Sequence, residues 1–495
     1  MITVKGLIKE FEGRKMWVWF IILSLFTGLF VALLSGSLQI KRKIHPGASL
    51  EEFLAYMDER IPSLMKLYRI PGCSIALVLD YEIVWTQSYG YADLESGRTL
   101  TTDIPMSVQS ITKSVTAWGV IKLAEKGLID LDAQLYSYLK SWQFPQTNYS
   151  AEKVIIRHLL NHTAGMPLGG FTDVYAPGEE MPSLREKLTQ EAILLREPGR
   201  EFTYSNTGYH LLELLIEEVT GQSFTEYMRS EVLLPLGMEA ADFDVDDAMT
   251  QYPPTGYDLG GKPVPVYIYP ENASGGLFAT AEDVALFAAA GMRDNPVLSA
   301  ESIRMMYASE SHKIGIYGLV FDAYGYGHFI ETLKNGLCSV SHGGQGNGIM
   351  THFQAVPETG DAIVILTNSQ RSWPVISYLL SDWAQWRSFP SVGMGRIIWG
   401  QYGLSVKIGM LLSASLLIVL RLVLAFHNQK RTDFKLFKIV IAFLLLGALI
   451  WCACQKYLFL TSLFPVLSVW LGGALLFFSA ALLASALIPC KRKIK

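Results

Sequence analysis

Ser110-Ile111-Thr112-Lys113 opens a helical pattern that runs to Gly127. It sets a hydroxyl and an amine three positions apart, so both leave one helix face and can share a hydrogen bond. A serine so placed can be activated by its basic neighbour, and the helix N-terminus favours an oxyanion beside it. The spacing alone is unspecific, because Ser63/Lys66, Ser137/Lys140 and Ser150/Lys153 share it and each reads most simply as a surface pair. Ser110 differs by its company. Tyr204-Ser205-Asn206, the only Tyr-x-Asn in the chain, follows about 95 residues on, ahead of the helical run Gly208 to Glu218. His342-Gly343-Gly344 comes about 140 residues later, closing the strand-like run Leu337 to Ser341.

Outward from this helix, Leu50 to Leu67 reads as a helical lead-in, and Cys73 to Asp80 with Glu82 to Tyr91 as an antiparallel hairpin. Helical patterns prevail to about residue 240, broken at Gly165-Met166-Pro167 and Glu197-Pro198-Gly199. Strand patterns return at Tyr317 to Phe321, Leu337 to Ser341, Thr351 to Val356 and Ala362 to Thr367, and Trp373 to Arg387 closes with a helix. Strands at both ends with helices between them predict an α/β (α+β) domain. It has one antiparallel sheet flanked by helices, an inserted helical subdomain, and a site in the cleft.

Hydropathy divides the chain of 495 residues into three. It is 50% hydrophobic and 17% charged, with a mean hydropathy of +0.27, which is too apolar for a wholly soluble enzyme. The excess lies at the ends. Met16 to Leu38 carries no charge over 23 residues and follows Lys5, Lys9, Arg14 and Lys15. As a helix it spans about 34 Å, which favours an uncleaved signal anchor. Further spans are expected near 403–426, 436–454 and 464–488. The expected domains are 1–43 (cytoplasmic N-terminus and anchor), 44–395 (extracytoplasmic globular domain) and 396–495 (three transmembrane helices). The positive-inside rule puts Lys430, Arg431, Lys435 and the terminal Lys491-Arg492-Lys493-Ile494-Lys495 in the cytoplasm, and leaves Lys41-Arg42-Lys43 at the outer surface. The expected location is the cell membrane, multi-pass, with the globular domain outside. Lys407 and Arg421 fall in the second span and read as snorkelling side chains. The globular middle holds every acidic residue except Glu10, Glu12 and Asp433, for a formal charge near −20. Nucleic acid is therefore not an expected partner.

The motifs at Ser110, Tyr204 and His342, in that order, resemble the serine penicillin-recognising hydrolases: class C β-lactamases, low-molecular-mass penicillin-binding proteins and related esterases and D-aminopeptidases. The resemblance covers residues 50 to 390. It extends to Lys126 to Asp132, Leu159 to Gly165, Pro198-Gly199 before Phe202-Thr203-Tyr204, and Ser274 to Leu277. It implies a Ser110 nucleophile that forms an acyl-enzyme, with a catalytic Lys113 buried beside it that stays charged or shuttles the proton, and Tyr204 as partner base, its phenol pKa lowered by the ammonium. Asn206, His342 and Gly344 would bind substrate, Asn206 also holding Lys113, and the N–H groups of Ser110 and Gln345 would form the oxyanion hole. These families usually carry Lys-Thr-Gly where His342-Gly343-Gly344 stands. A neutral imidazole recognises a substrate carboxylate less well, which weighs against β-lactam or D-Ala-D-Ala peptide turnover. Lys313-Ile314-Gly315 is in the wrong place to substitute.

Other candidates read as structural. His162 belongs to a turn. Asp242, Asp244, Asp246 and Asp247 lack the Gly and Glu of an EF-hand. Tyr317, Phe321, Tyr324, Tyr326 and Phe329 line the cleft or pack the sheet. His158, His210 and His328 show no metal spacing, and no cofactor or metal is expected. The five Cys (Cys73, Cys338, Cys452, Cys454, Cys490) form no C-x-x-C pair, and Cys73 and Cys338 are expected as buried thiols unless their strands are neighbours. The expected function is a membrane-anchored serine hydrolase acting on a D-amino-acyl or peptide ester or amide of the cell envelope. Its expected partners are a small-molecule, peptidoglycan or wall-polymer substrate, the lipid bilayer, and a membrane partner docked on the C-terminal helices. The rival is an acylatable or non-hydrolytic sensor that signals through those helices. A transporter finds little support in four spans holding only Lys407 and Arg421.

Overall fold

The computed structural model describes residues 4–38, 44–170, 173–245, 252–428, 435–455 and 457–487. Lys41-Arg42-Lys43, Lys430, Arg431, Lys491 to Lys495, Cys490, Asp246 and Asp247 lie outside the described residues. The chain divides into two compact units, Ile44–Arg396, and Met1–Lys43 with Ile397–Lys495.

The Ile44–Arg396 unit is built on eight antiparallel strands. They are β1 (Gly72–Leu79), β2 (Glu82–Asp93), β3 (Arg98–Thr99), β4 (Ala323–Tyr324), β5 (Phe329–Thr332), β6 (Cys338–Gly346), β7 (Ile349–Val356) and β8 (Asp361–Thr367), in the order β3-β2-β1-β8-β7-β6-β5-β4. Every residue of β7 and β8 is buried, as expected of near-continuous apolar strands covered on both faces. Helices α1 (Leu50–Tyr68), α5 (Ala281–Ala290) and α6 (Trp373–Trp386) pack on the sheet, while α2 (Thr112–Glu125), α3 (Leu184–Glu191) and α4 (Asn206–Thr220) pack on one another, α4 between the other two. α1 and α6 lock through the stacked rings of Phe53 and Trp386, 4.0 Å apart, while α5 packs on β1 and β8. The β1–β2 turn puts Asp80 and Tyr81 at φ +50° and +70°, the geometry of a two-residue hairpin.

Chain ends meet at the sheet centre, where β1 pairs with β8 from Cys73↔Thr367 to Val78↔Ala362. β8 and β7 separate Cys73 from Cys338 by at least about 14 Å at ordinary strand spacing, and the register, which sets Cys73 level with Gln345, adds to it, so no bridge can form and both thiols are free. The sheet hairpins and both flanking helices fall within a few residues of their expected places. One strand does not: Gly315–Leu319 is a 3₁₀ turn, with Gly315 at φ +59°. Its aromatic residues satisfy a ring cluster, and the edge position goes to β5 and β4. The region to residue 240 is rich in helix: besides α2, α3 and α4 it holds short helices at Ile156–Leu160 and Phe224–Met228, joined by long loops.

α2 runs through the interior. All positions from Thr112 to Ile121 are buried, which is why the stretch shows no polar face.

The second unit has helices long and apolar enough to cross a membrane by length and composition at Trp17–Leu34, Gly393–Val423, Lys435–Cys454 and Leu467–Leu487. The second begins before its expected start, its helix covering Arg396–Asn428. Within this unit Gly28 and Gly409 meet backbone to backbone. A Cβ on Gly409 would stand 2.4 Å from Gly28 N and 2.5 Å from Ser24 O, and Thr27 Oγ1 donates to Gly409 O at 3.0 Å. Small residues of this kind let apolar helices approach closely.

Candidate active site

Ser110 sits in the 3₁₀ turn Gln109–Ile111 that feeds α2. The turn is strained, because Gln109 takes φ +53° without being glycine. Its side chain is held on both ends: Nε2 donates to Ser107 Oγ at 2.7 Å, and Oε1 accepts from Tyr269 OH at 3.0 Å. Thr112 Oγ1 binds the Gln109 carbonyl at 2.6 Å. This scaffold fixes where the Ser110 hydroxyl emerges.

One turn on, Lys113 is fully buried. Its Nζ reaches Ser110 Oγ at 3.2 Å, Asn206 Oδ1 at 2.8 Å and Ser274 O at 2.7 Å. Burial pushes the Lys113 amine well below its ordinary range. A neutral amine has two N–H bonds for the two carbonyl oxygens and one lone pair left for the Ser110 hydroxyl, which is the arrangement of a general base.

Tyr204 and Asn206 are brought in by a clip. Ser205 caps α4 by accepting from Gly208 N at 2.9 Å, and its own N–H donates to His162 Nδ1 at 3.2 Å. Thr203 N and Asn206 N donate to the carbonyls of His162 and Leu168, both at 2.7 Å. His162, at φ +59° and buried, packs its ring 4.4 Å from that of Tyr204. It therefore positions the Tyr-Ser-Asn segment from a turn. The Ser110 side chain acts on the Tyr204 hydroxyl, favouring its ionised form, and Lys113 Nζ stands 5.0 Å from the ring. Against the expected lowering, burial pushes the Tyr204 phenol well above 10.

His342 is enclosed. Its side chain is fully buried, with Nε2 3.1 Å from Tyr324 OH and Nδ1 2.9 Å from the Gly343 carbonyl. The ring lies 5.1 Å from Phe329 and 6.3 Å from Tyr204. Burial first, and Lys113 second, hold the imidazole well below 6.5. A neutral ring enclosed by aromatics supports the cleft wall; it offers substrate no cation. Gly344 serves the backbone, since a Cβ there would fall 2.3 Å from both Val108 O and Thr351 Oγ1. β6 can thus cross directly beside the Ser110 turn. β5 pairs with β6 only from Cys338 to Ser341, while β7 pairs onward to Gly346. The stretch containing Gln345 therefore presents a strand edge beside the nucleophile, and its side chain accepts from Trp373 Nε1 at 3.1 Å.

Of the aromatic run, Tyr317 lies 5.3 Å from Tyr204 and 5.2 Å from Phe329, and Phe321 stacks on Phe329 at 4.3 Å. Tyr326 turns away toward Arg157. Lys313 is exposed and takes no part. Asp242 is engaged by Arg229 at 2.8 Å rather than in a cation loop.

Sequence reasoning marked Ser274 to Leu277 in the resemblance but gave no role to Ser274 and did not single out Glu213 at the rear of the site. Ser274 contributes its carbonyl, and Glu213 Oε2 accepts from Asn272 N and Ala273 N, both at 2.8 Å, fixing the segment that carries Ser274. Burial raises Glu213 to about 8. The acidic residue interrupting the apolar face of α4 was the available signal.

A serine, a buried amine and a phenol converging at the head of a central helix, on a sheet of this order, coincide with a family match. The Beta-lactamase family model matches residues 57–377. The chain belongs to the beta-lactamase family. Among relatives, Protein flp of Staphylococcus aureus is 30% identical over 220 residues, 43% of each chain. Penicillin-binding protein 4 of Amycolatopsis lactamdurans is 27% identical over 331 residues, 63% of this chain and 85% of the relative. The chain thus matches less than half the length of Flp. Among solved structures, the octameric penicillin-binding protein homologue from Pyrococcus abyssi aligns with a TM-score of 0.59 at 26% identity, covering 72% of this chain and 81% of that one. The penicillin-binding protein from Bacillus halodurans aligns at 0.54 over 64% of this chain and 98% of its own, and at 24% identity supports the fold.

Proposed function

We propose that this beta-lactamase-family chain is a membrane-anchored serine hydrolase whose catalytic unit faces outward and acts through a Ser110 acyl-enzyme on an ester or amide of the cell envelope. The observation that carries the reading is the triple hydrogen bonding of Lys113 to Ser110 Oγ, Asn206 Oδ1 and Ser274 O. Ser110 Oγ attacks the acyl carbon while its proton passes to Lys113. The oxyanion forms against the N–H groups of Ser110 and Gln345. Lys113, through the Tyr204 hydroxyl, returns the proton to the leaving group. Water then attacks the acyl carbon as it gives a proton to the same amine; the bond from Ser110 Oγ to the acyl carbon breaks, the amine returns that proton to Ser110 Oγ, and the acid leaves. Asn206 orients Lys113 and the substrate amide. The neutral, enclosed His342 favours substrates without a carboxylate at that point, such as D-amino-acyl esters of wall polymers.

The test is intact-mass spectrometry of the full chain in detergent after exposure to a fluorophosphonate, an activated D-alanyl ester and a β-lactam, beside Ser110→Ala. The expected result is a Ser110-dependent fluorophosphonate adduct and turnover of the ester. A folded chain inert to all three overturns the reading. A stable acyl adduct with no product release replaces hydrolysis by sensing.

A further inference from the structure

Next to Ser274, whose carbonyl accepts from Lys113, three side chains of metal-binding type converge from three segments: Glu191 at the end of α3, His210 in α4 and Glu271 just ahead of Ser274. One ligand atom from each lies within 4.8 Å of the others. The His210 and Glu271 side chains are 2% and 3% exposed, and His210 Nδ1 stands 3.7 Å from Glu271 Oε1. Neither atom has a hydrogen-bond partner, nor has Thr207 Oγ1, one turn earlier on the same helix. Buried polar atoms without partners call for an explanation. A separation of 3.7 Å is too long for a hydrogen bond, yet it is close to the spacing of two donors on one ion with bonds of about 2.0–2.1 Å.

Charge points the same way. Lys187 Nζ pairs with Asp173 and Glu191, each at 2.7 Å, and so offsets one of the three carboxylates in the group with Glu271. Two formal negative charges remain, which one divalent cation balances. A donor set of one imidazole and two carboxylates suits zinc or a neighbouring transition metal.

We propose that Glu191, His210 and Glu271 bind one divalent transition-metal ion, zinc by donor type, and that this ion braces the catalytic lysine through Ser274. His210 Nε2 lies 2.8 Å from Ser274 Oγ. Ligation through Nδ1 leaves the proton on Nε2, which then donates to Ser274, as the second nitrogen of a ligating histidine usually does to an outer partner. Ser274 in turn gives its carbonyl to Lys113 at 2.7 Å. The ion ties α3, α4 and the Ser274 segment together, and no step of acyl transfer runs through it. Spacing along the chain hides the site, since its ligands are separated by 19 and 61 residues.

The test uses the full chain in detergent, purified without a histidine tag or chelator, and does not depend on activity. Mass spectrometry of the metal content is expected to find one ion per chain. After chelation, added Zn²⁺ is expected to raise the Tm by several degrees, and added Co²⁺ to give the visible absorption of a low-symmetry protein site. His210→Gln and Glu271→Gln are expected to lose the metal, while exposed Lys313→Ala keeps it. Where the two variants fail to fold, the cobalt spectrum of the unaltered chain decides alone. A chain that holds no ion as isolated and gives neither a thermal shift with Zn²⁺ nor a cobalt spectrum overturns the proposal. An ion retained in both variants overturns the ligand assignment. A chain that takes up metal but shows no Ser110 adduct upholds the site while refuting hydrolysis.

Discussion

Lys113, Glu213, Glu271, Glu331 and His342 are ionisable groups buried in the Ile44–Arg396 unit, whereas the buried polar side chains described in the unit of long apolar helices are serines and Gln401. Those serines are largely satisfied by their own helix: Ser24, Ser405, Ser415 and Ser479 each donate to the carbonyl four residues earlier, at 2.7 to 2.9 Å. A hydroxyl satisfied in this way costs little wherever it is placed. A buried carboxylate or amine is costly and is kept by partners drawn from distant segments. The contrast locates chemistry in one unit and close packing in the other, and it can be broken experimentally at each point.

The largest effect is expected at the buried amine. Lys113→Met removes the base, and acylation of the full chain by an activated ester should fall by about 10²–10⁴-fold, read as the rate of Ser110 adduct formation. In the unaltered chain, acylation needs the neutral amine, so its rate should rise with pH through a midpoint below the ordinary 10.5 of lysine. His342 is held neutral, so His342→Gln should leave the shape of that profile between pH 6 and 7 unchanged. A limb near 6.5 that disappears in the variant would show that His342 titrates in the site.

Glu331 comes next. It is buried, its Oε2 accepts from Gly393 N at 2.9 Å, and burial raises its carboxyl from 4.5 to about 7. The folded state therefore holds the proton more tightly than the unfolded chain. Its contribution is complete below pH 4.5 and is lost as pH rises through about 7. The loss should be on the order of 3 kcal/mol. Glu331→Gln keeps the acceptor and should flatten the fall in Tm of the full chain between pH 5 and 8. An unchanged slope would mean that Glu331 is ionised in the fold.

How much of this was legible follows from where the partners lie. β7 and β8 were readable because burial on both faces demands continuous apolar runs, and α2 because its helix start carries Ser110 and Lys113 together. The aromatic stretch around Tyr317 misled, since alternating rings suit a strand as well as a packed cluster, and only the positive φ of Gly315 decides between them. The front of the site was visible through the order of three motifs. Its rear was not: Ser274 acts through a carbonyl that every residue possesses, Glu213 through two backbone N–H groups, and His210 through side chains remote in the chain. The burial of His342 likewise depends on Tyr324 and Phe329, which its own motif does not announce.

The unit of long apolar helices supplies the smaller effects. A Cβ on Gly409 would meet the Gly28 nitrogen and the Ser24 carbonyl at 2.4 and 2.5 Å, both backbone atoms that cannot step aside. Gly409→Leu should force the two helices apart at a cost of about 1–3 kcal/mol, seen as a lower unfolding midpoint of the full chain in detergent, with the Ser110 fluorophosphonate adduct rate unchanged. A parallel loss of adduct formation would show that the Ile44–Arg396 unit depends on this packing. Thr27→Val is the gentler probe at the same contact. It removes the 3.0 Å bonds to Gly409 O and Ser413 Oγ while keeping the side-chain volume. Interhelical hydrogen bonds between membrane helices average about 0.6 kcal/mol, because the separated helix satisfies the same hydroxyl itself, and Thr27 already has that alternative in Leu23 O at 2.8 Å. The variant should therefore shift the midpoint only slightly. A shift as large as that of Gly409→Leu would mean that polar bonding, rather than close glycine contact, holds these helices together.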